Sequence, residues 1–221
     1  MPESSRTAAG VTTRAADTDQ PIPMPTTTKG RRTRRDLLNA AKTLFIERGY
    51  GSTRISDIAN LAGTSYGSFY HYFATKEAVA AELFNEMSGE ILAAAYTLGR
   101  EDLDPISRIA DANRRYLQAA YDNREMIAIL EELALANDTF RTIKLRVRRP
   151  YVARNAAGIA KLQKLGQADP ALPPELTASI LGGMVENMTH LWFIHNEPYD
   201  EDAATDALTR IWANALRLPL E

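Results

Sequence analysis

The chain has 221 residues, a formal net charge of −2, 45% hydrophobic and 24% charged residues, the balance of a globular protein with room for one or two cored domains. It contains no cysteine, which excludes disulfides and thiolate-based zinc or redox chemistry and suits a reducing cytoplasm. No run approaches the roughly 20 apolar residues of a membrane span, and the N-terminus lacks the apolar core of a signal peptide, so neither membrane insertion nor export is expected.

Charge is unevenly distributed. Residues 1–76 hold 11 basic and 6 acidic side chains, a balance of +5, and the remainder holds 15 and 22, a balance of −7. A basic front on an acidic body is the split expected when only the front meets a polyanion; a solvated surface produces the same numbers unless a motif accompanies them.

Residues 1–29 are rich in Thr, Pro, Ala and Asp, without aromatic residues or periodicity. Pro2, Pro21, Pro23, Pro25 and the Thr26-Thr27-Thr28 run predict a disordered arm. Its basic end and the residues after it, Lys29, Arg31, Arg32, Arg34 and Arg35, are candidates for phosphate contact. A helix from about Arg31 to Arg48 follows, with Leu37, Leu38, Ala41, Leu44 and Phe45 as its inner stripe and Gly49 at its close.

The motif lies in Ile55 to Phe73, ISDIANLAGTSYGSFYHYF. Ile55, Ile58, Ala59 and Ala62 make one apolar helical face, Thr53 is placed to cap that helix, and Asp57 lies near its positive end. Gly63 supplies a left-handed turn residue and Ser65 an N-cap for a second helix. That helix carries the hydrogen-bonding side chains Tyr66, Ser68, Tyr70, His71 and Tyr72, while Phe69 and Phe73 turn inward. A short helix, a glycine turn and a helix of polar aromatics is the layout of a helix-turn-helix DNA reader. Thr53 and Arg54 open the first of the two helices, where a positive end suits phosphate. Thr64, Ser65, Tyr66, Gly67 and Ser68 lie at the end of the second that enters a groove, and Lys76 neutralises a further phosphate. Pure capping by Thr53 and Ser65, and core packing by Tyr70, are the structural alternatives.

The rest reads as helix throughout, with no sustained strand-like alternation. Thr75 caps a long amphipathic helix to about Leu98, carrying Leu83, Phe84, Met87, Ile91, Leu92 and Ala95. Asp104-Pro105 opens a helix to about Tyr121, and residues 124–136 form a mostly apolar one. A longer helix covers 138–165, with a kink expected at Pro150 and a stop at Gly166. The last two run from about Pro174 to Asn196 and from about Glu201 to Leu216. The total is nine helices, an all-α fold.

From about Arg34 to Phe84 the chain resembles the TetR family of bacterial transcriptional regulators. The resemblance rests on AAKTLFIERGYGSTRISDIA followed by AGTSYGSFYHYFATKEAVAAEL, with the Gly-Tyr, Ile-Ala, Ala-Gly, Tyr-His-Tyr-Phe and Thr-Lys-Glu landmarks in place. Tyr66 departs from it, standing where relatives often carry lysine, which implies a different operator sequence. The resemblance implies a helix-turn-helix DNA-binding domain of three helices over 30–76, behind the 1–29 arm, and a helical ligand-binding and dimerisation domain over 77–221. It further implies flanking phosphate contacts by Tyr70 and His71, a homodimer paired through the last two helices, a palindromic double-stranded DNA operator, and a small-molecule inducer that releases a repressor. No cofactor and no membrane partner are implied.

Pocket candidates in the C-terminal part are Tyr116, Met126, Leu130, Phe140, Tyr151, Met184, Asn187, Met188, His190 and Trp192, each with core packing as its alternative. Asn187 and His190 stand out because a buried polar group without a partner costs about 1–3 kcal/mol. Glu186 and His190, four apart, make a two-ligand pair where zinc sites take three or four protein ligands, and His195 lies off that face, so no metal is expected. The basic run with Arg141, Lys144, Arg146, Arg148, Arg149 and Arg154 is either a solvated face or an acceptor for an anionic, largely hydrophobic inducer such as an acyl-CoA or related acid, with Arg141, Lys144, Arg148 and Arg149 as its contacts. Gly182-Gly183 suits close helix packing at a dimer seam. An architectural DNA-binding protein without an inducer is the competing class. An all-helical enzyme is remote, since no phosphate loop or nucleophile elbow is present.

Overall fold

A computed structural model describes residues 22–96 and 103–219. Among the described residues all regular structure is helical: α1 (Thr28–Arg48), α2 (Ile55–Leu61), α3 (Tyr66–Phe69), α4 (Lys76–Ala94), α5 (Pro105–Asp122), α6 (Arg124–Ala136), α7 (Asp138–Lys164), α8 (Pro174–Thr189) and α9 (Glu201–Leu216). The arm expected over 1–29 lies outside these residues as far as position 21, as does the end expected for α4 near Leu98.

Local chemistry explains most boundaries. The Thr27 hydroxyl accepts from Gly30 N at 3.1 Å and caps α1 three residues earlier than expected. Lys29 therefore lies on a helix and not on an arm. Ser65, Thr75, Asp104, Asn137 and Asp200 likewise cap α3, α4, α5, α7 and α9. Thr53 does not cap α2. Arg54 holds that position, and its backbone N–H is met by the Asp57 carboxylate at 3.1 Å. Gly63 takes φ +67, the left-handed turn between α2 and α3. The reader helix is shorter than expected: after Phe69 its turn continues through His71 N→Ser68 O (3.1 Å) and Tyr72 N→Phe69 O (2.9 Å), the tighter three-residue spacing. α7 runs unbroken through Pro150.

α8 changes pitch at its end. Residues His190–Ile194 form one π-helical turn, closed by His195 N→His190 O at 3.0 Å, and Asn196 at φ +57 terminates it. On α9, Ile211 is exposed and Ala215 also faces out, so the inner stripe is carried by Leu208, Trp212, Ala213 and Leu216.

The main core crosses the position where a domain boundary was expected. Leu37, Leu38, Leu44 and Phe45 of α1, Ile58 of α2, Phe69 and Phe73 join Val79, Phe84 and Ile91 of α4 in one cluster. Met126 and Leu130 of α6 and Phe140 and Ile143 of α7 belong to the same cluster. Phe140 packs edge-on against both Tyr50 (5.2 Å) and Phe84 (6.1 Å), so one ring bridges the α1–α2 turn, α4 and α7. A second core, with Ile159, Ala178, Leu181, Trp212 and Leu216, holds α7, α8 and α9 together.

Candidate functional site

The helix-turn-helix presents a polar aromatic surface. Phe69 and Phe73 are buried beneath it, which turns Tyr66, Tyr70 and His71 outward. Tyr66 and Tyr70, one turn apart, stack edge-to-face at 5.3 Å with their hydroxyls 2.9 Å apart. That hydrogen bond, with lesser help from desolvation and mutual repulsion, holds the Tyr70 phenol above its ordinary range. The pair presents two neighbouring hydroxyls on the exposed side of the helix. Ser65 caps by accepting from Ser68 N at 3.1 Å, which leaves its O–H able to donate outward. Thr64 is half-buried, with its N–H donated to Ala59 O at 2.9 Å, whereas Gly67 and Arg54 are exposed.

Three residues expected at phosphate are engaged inside the protein. Thr53 is buried, and its hydroxyl donates to Leu44 O (3.2 Å) and Gly49 O (2.9 Å), stitching α2 to the end of α1. Lys76 donates to Tyr50 O (2.7 Å) and Thr53 O (2.8 Å) and lies 4.1 Å from the Tyr50 ring centre. Burial lowers its pKa against the opposing charge of Glu77. It is a clamp from the start of α4 onto the turn before α2. Arg34 makes a bidentate ion pair with Glu82 and lies over the Phe73 ring at 4.7 Å, tying α1 to α4. Arg31, Arg32 and Arg35 remain exposed. Their contacts include bonds from Arg31 to Thr26 O (2.6 Å) and Thr28 Oγ1 (3.5 Å) and loose pairs of Arg32 with Asp36 (4.0 Å) and Arg35 with Glu86 (3.5 Å).

In the C-terminal part a cavity of about 280 Å³ opens between α5, α7, α8 and α9. Its apolar walls are Ile109, Ile159, Leu162, Val185, Trp212 and Leu216, and Gly158 and Gly182 leave room where side chains would stand. Its polar lining includes Tyr96, Asn113, Tyr116, Tyr151, Asn155 and Glu186, with three cationic residues, Arg108, Arg154 and Lys161. Burial first, then Glu186 and Tyr151, push the Tyr116 phenol far above its ordinary range. Its ring borders the cavity and is partly buried. Tyr151 is also raised by burial, against the bond its hydroxyl donates to Ser88 O at 2.6 Å.

Of the expected pocket residues, Tyr116 and Tyr151 line this cavity. Met126, Leu130 and Phe140 belong to the main core, and Met184, Met188 and Trp192 pack beside Leu117, Val185 and Leu208. Asn187 is exposed, so no polar group is buried there. His190 lies 3.4 Å from Glu131, outside the cavity. The basic run is also used elsewhere. Lys144 pairs with Glu131, and exposed Arg141 with Asp138 (2.5 Å). Arg148 binds Glu186 (3.0 and 3.1 Å) and Ser179 (3.1 and 2.8 Å), while Arg146 and Arg149 are exposed. A Cβ on Gly183 would stand 3.5 Å from Arg148 Nη2 and Gly182 borders the cavity, so both glycines serve contacts within the chain. Arg154 alone of that run reaches the cavity. Arg108, Lys161, Asn155 and Trp212 were missed; the one signal for them was a pair of glycines, 158 and 182, kept inside helices despite their cost.

The pattern described as "Bacterial regulatory proteins, tetR family" matches residues 37–83. The HTH-type transcriptional repressor DhaR of Mycobacterium sp. (strain GP1) is 27% identical over 150 residues, 67% of this chain and 76% of that protein. Among solved structures, Salmonella enterica GusR superposes with a TM-score of 0.73 at 19% identity over 86% of this chain and 98% of that one. The transcriptional regulator FadR of Bacillus subtilis, in complex with stearoyl-CoA, has a TM-score of 0.70 at 20% identity, covering 82% and 98%. Reading surface, helical order and sequence pattern agree: residues 37–83 carry the DNA-binding pattern of the TetR family, and the chain is similar to TetR-family transcriptional regulators in sequence and fold.

Proposed function

We propose that the protein is a homodimeric repressor whose helix-turn-helix binds a palindromic operator and is released by a small, largely hydrophobic inducer held in the α5–α9 cavity. The observation that carries this reading is the continuity between the two ends. α4 is clamped to the reader unit by Lys76 and Glu82, and the cavity residues Tyr151 and Arg154 hydrogen-bond to its Ser88 and Leu92 carbonyls. A ligand that alters those two bonds has a rigid path to the DNA surface.

In this reading Tyr66, Ser65 and Ser68 meet base edges in the major groove, with Thr64 and Gly67 allowing close approach. Tyr70, His71, Arg54, Arg31, Arg32 and Arg35 meet phosphates. Thr53, Lys76 and Arg34 shape the unit from within. The second copy pairs across α8 and α9, where Leu176, Ile180 and Ile211 are exposed apolar side chains. A packed C-terminal part would have favoured the architectural alternative; the cavity favours an inducer.

The test is selection of duplexes from a random pool by the full-length protein, followed by titration of the winner. A two-fold symmetric consensus, bound by a species of twice the monomer's mass, is the expected outcome. Enrichment of no sequence over random duplex at physiological salt would sink the repressor reading.

A further inference from the structure

We propose that the cavity recognises an anion, and that the inducer is a compact amphiphile with a carboxylate or phosphate head held by Arg154. The inference rests on the cavity being the inducer site. Arg148 and Arg154, six residues apart on α7, show the contrast that carries it. The Arg148 guanidinium is answered by the Glu186 carboxylate and by two oxygens of Ser179. Arg154, half-buried at the cavity wall, makes one hydrogen bond, from Nη1 to Leu92 O at 3.1 Å, and has no carboxylate partner among the described residues. A guanidinium has five N–H donors and stays charged in any protein setting. Holding one half out of water without a counter-charge is costly, and an anion entering the cavity removes that cost.

Three further features point the same way. Arg108 of α5 and solvent-exposed Lys161 of α7 line the same cavity without an ion pair among the described residues, so three cationic residues border it. The one carboxylate in its wall among the described residues, Glu186, already carries Arg148. The indole of Trp212 is buried, and its Nε1–H has no acceptor among the described residues, a neutral donor in the wall of the same cavity. Ile109, Ile159, Leu162 and Val185 supply the apolar remainder. At about 280 Å³ the space is at the small end of ligand cavities, roughly 300–1,000 Å³. It therefore suits a compact apolar body with a single anionic head.

Calorimetric titration of the full-length protein with decanoate, decanol and decylamine, each below its micellar concentration, tests the assignment. Decanoate is expected to bind about tenfold or more tightly than decanol, with decylamine weakest. Arg154→Met should bring decanoate and decanol to within about twofold of each other while decanol affinity holds, and Arg154→Lys should keep most of the preference. Should Arg154→Met fold poorly, the double variant Arg108→Gln/Lys161→Gln at the cavity wall is expected to reduce the preference by about threefold. Equal binding of decanoate and decanol by the unaltered protein would overturn the anion site and leave the inducer cavity standing, as would a preference that survives every variant. Binding of none of the three amphiphiles would overturn the cavity as an inducer site as well.

Discussion

Two cations of the N-terminal unit, Lys76 and Arg54, look interchangeable as charges and differ in what they touch. Lys76 satisfies two backbone carbonyls and a tyrosine face, so Lys76→Met is expected to cost about 1–3 kcal/mol. Operator affinity should fall with it, while the slope of log affinity against log salt stays unchanged. Arg54 is exposed at the start of α2. Arg54→Ala should leave thermal stability in place and reduce that slope by about one, the mark of a lost phosphate contact. Thermal melts and anisotropy titrations at several salt concentrations separate the two. A third group reports through pH. Burial raises the Glu131 pKa, but the hydrogen bonds and charges of His190 and Lys144 outweigh it and leave the carboxyl below its ordinary value. A carboxyl lowered on folding stabilises above its unfolded pKa, about 4.3, and loses that contribution as pH falls through the folded value. Glu131→Gln should therefore flatten the acid limb of a plot of Tm against pH below about pH 4.

At the scale of elements, the cavity owes part of its space to glycines inside helices. A Cβ at Gly158 or Gly182 would meet nothing within 4 Å, and glycine inside a helix costs about 0.5–1 kcal/mol relative to alanine. Gly158→Ala and Gly182→Ala are each expected to raise stability by about that amount in denaturant titrations. Larger residues at the same positions should abolish decanoate binding by filling the space. α4 is the element that makes the cavity matter to DNA. Its first turn grips the reader unit through Lys76 and its last turns accept from Tyr151 and Arg154.

For the whole molecule, the decisive feature is the core that continues from α1 through α4 into α6 and α7. Residues 30–76 have no separate hydrophobic interior, so the chain should melt without an early transition confined to the helix-turn-helix. Two well-separated transitions in calorimetry would show that the shared core does not couple the two parts. Phe140, buried and in contact with Tyr50 and Phe84, is the sharpest probe. Phe140→Ala should cost about 3–5 kcal/mol, and Phe140→Leu, at lower cost, should weaken the effect of ligand on operator affinity.

The all-helical class, most helix limits, the caps at Ser65, Thr75 and Asp104 and the outward face of Tyr66, Tyr70 and His71 were legible in the sequence. These depend on short-range periodicity and on hydrogen bonds between residues two to four apart, which a linear pattern records. The inward roles of Thr53, Lys76 and Arg34 were not, because their partners, Leu44, Tyr50 and Glu82, lie 9, 26 and 48 residues away. The cavity was legible only in Tyr116 and Tyr151, since α5, α7, α8 and α9 each supply one wall and no single helix shows that a void lies between them. The basic run on α7 looked uniform in the sequence. Tertiary packing alone decided that Arg148 would meet a carboxylate and that Arg154, six residues on, would border the cavity without one among the described residues.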